Sequence, residues 1–169
     1  MYLATLASAV ALAVSHAPAH LQAGARLGTI HISRIGLNAP VTQGAETIYT
    51  AAWPRELNYG PAHYPDTSLP WQPGVVGIAG HRVTHTRPFF KLNLLHKRDL
   101  IVLRTRWGVF RYRVYAMKIV RPTGLWVLHG KRGYRLVLTA CHPPHQAIER
   151  IVVFARIVRR HNGAISTRT

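Results

Sequence analysis

One cysteine, Cys141, stands in a chain that also carries 11 histidines. A thiol with an imidazole and a cation in reach is a nucleophile with its own acid–base partner. Three residues sit where such a set can form. His81 follows the apolar run Val75–Ala79 through Gly80. Cys141 directly follows Tyr134–Ala140, and Arg150 opens the run Arg150–Ile157. If these last two runs pair as a hairpin through residues 142–149, Cys141 and Arg150 share one end of a sheet on neighbouring strands. A guanidinium there favours a thiolate, and His81 within reach could trade protons with it. Arg135 and Arg156 compete with Arg150 for that place. Each residue also has a plain structural reading. A lone cysteine is commonly a small buried hydrophobe, and His81 could be a loop or core histidine bonded to backbone. His81, His85, His142 and His145 together with Cys141 invite a zinc reading. A structural zinc site needs four tetrahedral ligands at a recognised spacing, and these residues have none, so no metal and no cofactor are expected.

Positioning groups from such distant points needs a scaffold, and the patterning supplies strands. Leu27–Ser33 alternates, Val75–Ala79 is continuously apolar as in a strand buried on both faces, and Leu100–Thr105 is a third strand. Val109–Val120 alternates until its phase slips around Ala116–Lys118, which predicts a bulge. Tyr134–Ala140 and Arg150–Ile157 complete the set. One short helix is expected over Pro88–Leu95, with proline in its first turn. Turn residues at Asn58–Pro61, Gln72–Gly74, Trp107–Gly108, Pro122–Gly124 and Lys131–Gly133 punctuate the rest. Many short strands in one domain-sized chain favour a closed, mainly β barrel over a layered α/β sheet. Trp107 and Trp126 read as packing residues.

The chain has 169 residues, with 22 Lys+Arg against 5 Asp+Glu, a net charge of +17. Its 48% apolar content argues against disorder. Five carboxylates are too few for a calcium cage, and paired-carboxylate glycoside hydrolysis is equally disfavoured. The basic excess points to an anionic partner, either nucleic acid or an envelope surface. Residues 82–160 hold 18 of the Lys+Arg and 2 of the acids. Phe110, Tyr112 and Tyr115 interleave there with Arg111 and Arg113, as on a single-strand nucleic-acid-binding barrel. That alternative leaves the cysteine and histidine motifs unexplained. At the N-terminus, Tyr2–Val14 is an uncharged apolar run of 13 residues, too short to span a bilayer. It is a signal-peptide core, a first buried helix, or the remnant of a membrane anchor, and the last is favoured. The resulting division is residues 1–15 apolar segment, 16–25 linker, 26–160 catalytic barrel and 161–169 polar tail.

Three motifs resemble those of one family. Leu138-Thr139-Ala140-Cys141-His142-Pro143 is similar to the Thr-Leu-x-Thr-Cys-x-Pro signature of sortases. Gly80-His81-Arg82 followed by Pro88-Phe89-Phe90-Lys91-Leu92 resembles the segment around their catalytic histidine, and Tyr59–Pro65 through Pro73-Gly74 resembles the segment upstream of it. Ala147–Val153 resembles the strand that carries their catalytic arginine. The likeness runs from about Gly28 to Ile157 in the family's order, and the Cys-His-Pro and Gly-His-Arg forms are most similar to class E.

The resemblance implies a sortase-type closed barrel of about eight strands with a few short helices, and a cysteine transpeptidase. Cys141, His81 and Arg150 would be catalytic. Tyr64, Thr139, Ala140 and His142 would contact the substrate. The implied substrates are surface proteins or pilins with a C-terminal Leu-Pro-x-Thr-Gly or Leu-Ala-x-Thr-Gly signal. The acceptor would be a cell-wall precursor amine of the lipid II type or a pilin lysine. The enzyme would sit at the extracytoplasmic face of a Gram-positive-type membrane, held by its N-terminal segment, with no nucleic-acid partner. Two positions depart from the signature: Ala140 and Val137 stand where sortases usually carry threonine. The hydroxyl missing at Ala140 predicts weakened substrate positioning, or a degenerate fold that only binds.

Overall fold

The computed structural model describes residues 17–45 and 55–162. It has eight strands: β1 (Arg26–Ile32), β2 (Leu37–Gln43), β3 (Ala62–His63), β4 (Gly74–Ala79), β5 (Leu100–Thr105), β6 (Gly108–Val120), β7 (Tyr134–His142) and β8 (Glu149–Asn162). They close into a barrel in the order β1-β2-β3-β4-β7-β8-β6-β5. Closure leaves no long unpaired edge. The β2–β3 and β4–β7 pairs are parallel, and the other neighbours are antiparallel.

The barrel interior is filled from every side. Ile30, Ile78, Leu103, Phe110, Tyr112, Leu138 and Val153 belong to one buried cluster, with Phe89 and Leu92 plugging it from the loop after β4. Each large side chain withdrawn from water contributes about 1.5–3 kcal/mol. A second cluster lies outside the barrel. Val75, Val137, Val152 and Phe154 project outward and are roofed by Val127 and Leu128, which sit on the 3-10 turn Leu125–Leu128. The outer roof explains why β4 reads as an unbroken apolar run: every residue of it is buried.

Several expectations shift. Pro88–Leu95 is not a helix but a series of turns ending in the 3-10 turn Leu92–Leu94. Its apolar residues plug the barrel singly, so no continuous helical stripe is needed. The predicted slip in β6 falls slightly earlier, with register shifts at Val114/Ala116 and again at Arg111/Tyr112. β8 runs longer than its apolar core, to Asn162, because β6 pairs with it throughout. In β1, a shift between Arg26 and Gly28 turns Leu27 inward with Ile30 and Ile32, against simple alternation. Phe110 and Tyr112 are fully buried, so they cannot stack on bases, and the nucleic-acid reading loses its platform. Trp107 is buried as expected, whereas Trp126 is 55% exposed. Trp126 stacks on Phe154, with Lys118 over its ring. No described helix is long and apolar enough to cross a membrane. The apolar run Tyr2–Val14 lies outside the described residues, as does the tail after Asn162.

Candidate active site

Three neighbouring strand ends build the site. β7 and β8 are antiparallel, with Cys141 directly opposite Arg150 and His142 opposite Glu149. β4 lies parallel on the other side of β7, with Ala79 level with Thr139. The ladder continues one step further, as the Gly80 amide donates to the Thr139 carbonyl at 3.1 Å. His81 therefore leaves β4 at the level where β7 presents Cys141. A parallel β4 and an antiparallel β8 flanking β7 place histidine, cysteine and arginine on three adjacent strands at one end of the barrel.

Alternation along β7 then decides which side chains face the site. Thr139 and Cys141 point out of the barrel and Ala140 points in. Ala140 is fully buried within the interior cluster. This corrects its assignment as a substrate contact: its side chain does not reach the face that carries the thiol. A threonine there would place its hydroxyl in the core. Val137 faces outward beneath the roof. Arg135 and Arg156 pair with each other six residues down β7 from Cys141. At about 3.3 Å per residue that is on the order of 20 Å away, so neither competes with Arg150.

The thiol is half-buried and unbonded to any second cysteine. The Arg150 guanidinium bonds the Ala147 and Glu149 carbonyls, each at 2.9 Å, which ties it to the loop joining β7 and β8. Tyr64 lies over Thr139, its hydroxyl 2.9 Å from Thr139 Oγ1. Burial pushes the Tyr64 phenol up. The Thr139 bond and the Arg150 charge oppose that rise, and the Cys141 charge adds to it. Tyr64 thus faces both groups. His81 Nε2 lies 3.3 Å from Asn58 Oδ1, and its ring stacks on His85 at 4.7 Å between centroids. Burial first, then the charge of His85, lowers its proton affinity.

His142 is held from behind. Arg82 Nη1 donates to His142 Nδ1 at 2.7 Å and reaches the Cys141 carbonyl at 3.4 Å, while Nη2 donates to Asn93 Oδ1 at 3.0 Å. Sequence reasoning missed Arg82, Asn58 and Asn93. Arg82 was in view within Gly-His-Arg, but its partners lie 59 and 60 residues away. Asn58 was visible only as a turn residue. Among the described residues no group of three His, Cys, Asp or Glu could hold a metal ion.

The Sortase domain family matches residues 30–158. Sortase SrtE1 of Streptomyces coelicolor is 26% identical over 156 residues, covering 83% of this chain and 43% of that protein. Sortase D of Bacillus subtilis is 28% identical over 124 residues, covering 72% of this chain and 57% of that protein. The chain thus spans about half the length of these curated relatives. The structure of sortase E from Streptomyces avermitilis superposes with a TM-score of 0.72 at 27% identity, covering 84% of this chain and 93% of that one. Sortase E1 from Streptomyces coelicolor, solved with a tripeptide in its active site, gives 0.70 at 26%, covering 84% and 94%. With most of its barrel matched, the chain belongs to the sortase family and is most similar to class E.

Proposed function

We propose that this chain is a cysteine transpeptidase acting on sorting signals of the Leu-Pro-x-Thr-Gly or Leu-Ala-x-Thr-Gly type. The observation that carries the reading is Cys141 opposite Arg150, with His81 leaving the parallel neighbouring strand beside them. The Cys141 thiolate attacks the threonine carbonyl, and a C–S bond forms. As the C–N bond to glycine breaks, the departing nitrogen takes a proton from His81. An incoming amine of a wall precursor or pilin then attacks the thioester, gives a proton to His81 and releases the thiolate. Arg150 faces the carbonyl oxygen as negative charge develops, or holds the peptide backbone. Tyr64, Thr139 and His142 line the approach. The Streptomyces coelicolor relative was solved with a tripeptide in its active site, which supports a peptide substrate. The N-terminal segment and the basic surface suit an enzyme held at the outer membrane face.

Fluorogenic peptides of both signal types, offered with a glycine nucleophile, test the reading. Wild type cleaves and transfers, and Cys141→Ala does neither. Identical behaviour of the two proteins would sink it. A binding-only reading draws on Ala140, whose side chain points into the core. Ala140→Thr accordingly gains no activity and loses about 1–3 kcal/mol of stability from a buried hydroxyl.

A further inference from the structure

Arg82 is only 4% exposed, and its guanidinium keeps its proton in proteins. Buried cations are ordinarily paired with a carboxylate. Arg82 bonds three neutral acceptors instead, the Cys141 carbonyl, His142 Nδ1 and Asn93 Oδ1. Its Nε is buried without a partner among the described residues. Burial loosens its proton, and the charge that opposes this is that of Cys141.

We propose that Arg82 is a positioning residue for the nucleophile. One guanidinium locks the Cys141–His142 backbone and the His142 ring to the loop that carries His81. The reasoning is geometric. Arg82 follows His81 directly, so anchoring it to the end of β7 fixes the histidine within one residue of the anchor. The Asn93 contact ties the same clamp to the 3-10 turn Leu92–Leu94. Arginine only donates, so the 2.7 Å contact makes His142 Nδ1 an acceptor and puts the neutral ring's proton on Nε2. Arg150, by contrast, spends two bonds on carbonyls of its own loop. The two arginines divide the work: Arg150 lies across the strand pair from Cys141, and Arg82 reaches the Cys141 carbonyl from the loop after β4.

This inference rests on Cys141 as the nucleophile, and its test avoids the peptide. Cys141 is the only cysteine, so iodoacetamide alkylation of the full chain reports on it alone. The charged and titratable groups around it are Arg82, Arg150, Tyr64, His81, His142 and, opposite His142, Glu149. In Arg82→Gln the pH profile of alkylation moves upward by about one unit, with an unchanged plateau at high pH. At neutral pH that is a rate about tenfold lower. Arg82→Lys keeps the charge without the fork and lies between the two. A Gln profile superimposed on that of wild type overturns the proposal, and so does a Lys profile displaced as far as Gln. Should both variants fail to fold, ¹⁵N NMR of wild type decides. A His142 protonated on Nε2, with Nδ1 accepting, is expected, and an Nδ1–H tautomer overturns the clamp. Failure of wild type to cleave sorting-signal peptides would sink the transpeptidase reading and leave this comparison intact.

Discussion

His81 is held between an amide and a second histidine, and that setting tunes its proton. Its ring stacks on His85 at 4.7 Å. Burial first, and His85 second, disfavour its imidazolium. The proposed cycle needs imidazolium beside thiolate, so the basic limb of the activity profile follows loss of the His81 proton. Removing His85 removes a repulsive charge, and the imidazolium then persists to higher pH. His85→Ala should move the basic limb of kcat/KM upward by less than about one unit. A limb that stays or moves down refutes the coupling. The limb reports the Cys141–His81 pair rather than either group alone. At this scale the sequence marked the candidate residues but not what holds them. Cys141, His81 and Arg150 stood out because strand ends and motifs marked them. Asn58 and Arg82 did not, and His85 was read only as a zinc candidate, because their contacts depend on loop paths that no local pattern encodes. Ala140 was misread because motif position is silent about which face of a strand a side chain takes.

Among the elements, β4 and the loop after it carry the heaviest constraint. Gly80 joins the strand to His81 with its amide still on the ladder, and the reason for glycine there is tertiary. A Cβ at Gly80 would fall 2.5 Å from Phe89 Cδ2 and 2.8 Å from Cγ. Phe89 is fully buried in the barrel plug, so it has no free space to yield. Gly80→Ala should cost about 1–3 kcal/mol by overpacking. It should also lower kcat more than its stability loss explains, because the displaced segment is the one that aims His81. Thermal denaturation alongside steady-state kinetics checks this. A variant that keeps wild-type kcat while losing stability would separate the loop from the chemistry. The long strands were legible from alternation and β-branched runs. β2 and β3 were not: Pro40 interrupts β2, and two-residue β3 is too short to carry a period. Both exist because they close the ladder between β1 and β4. Closure is a property of the assembled barrel, which no single segment shows.

For the molecule as a whole, the charge of +17 first suggested a nucleic-acid partner and now has to be reconciled with a closed, packed barrel. Most of the cations lie on the barrel surface, where they repel one another and favour expansion. As pH falls, the histidines add to that repulsion, and one of them does so specifically. His63 is 1% exposed. Its Nδ1 faces the Gln43 side-chain amide at 2.9 Å, and its Nε2 faces the Ser68 carbonyl and the Thr67 hydroxyl, each at 3.0 Å. Burial lowers its pKa to about 4, partly offset by the Ser68 bond. Between that value and the ordinary 6.5, the unfolded chain binds a proton that the folded barrel refuses. Stability is therefore full above pH 6.5 and falls as pH drops toward 4, by about 3 kcal/mol from this residue. The same residue joins β3 to the loop before β4, so its protonation loosens the barrel beside the strand that carries His81. Urea denaturation at pH 7.5, 6 and 4.5 should show wild type losing about 3 kcal/mol more than His63→Gln over that range. Raising salt screens the surface repulsion for both proteins alike, so the difference between them should survive in 0.5 M NaCl. If both lose stability equally, or if salt abolishes the difference, the acid sensitivity belongs to the net charge and not to His63.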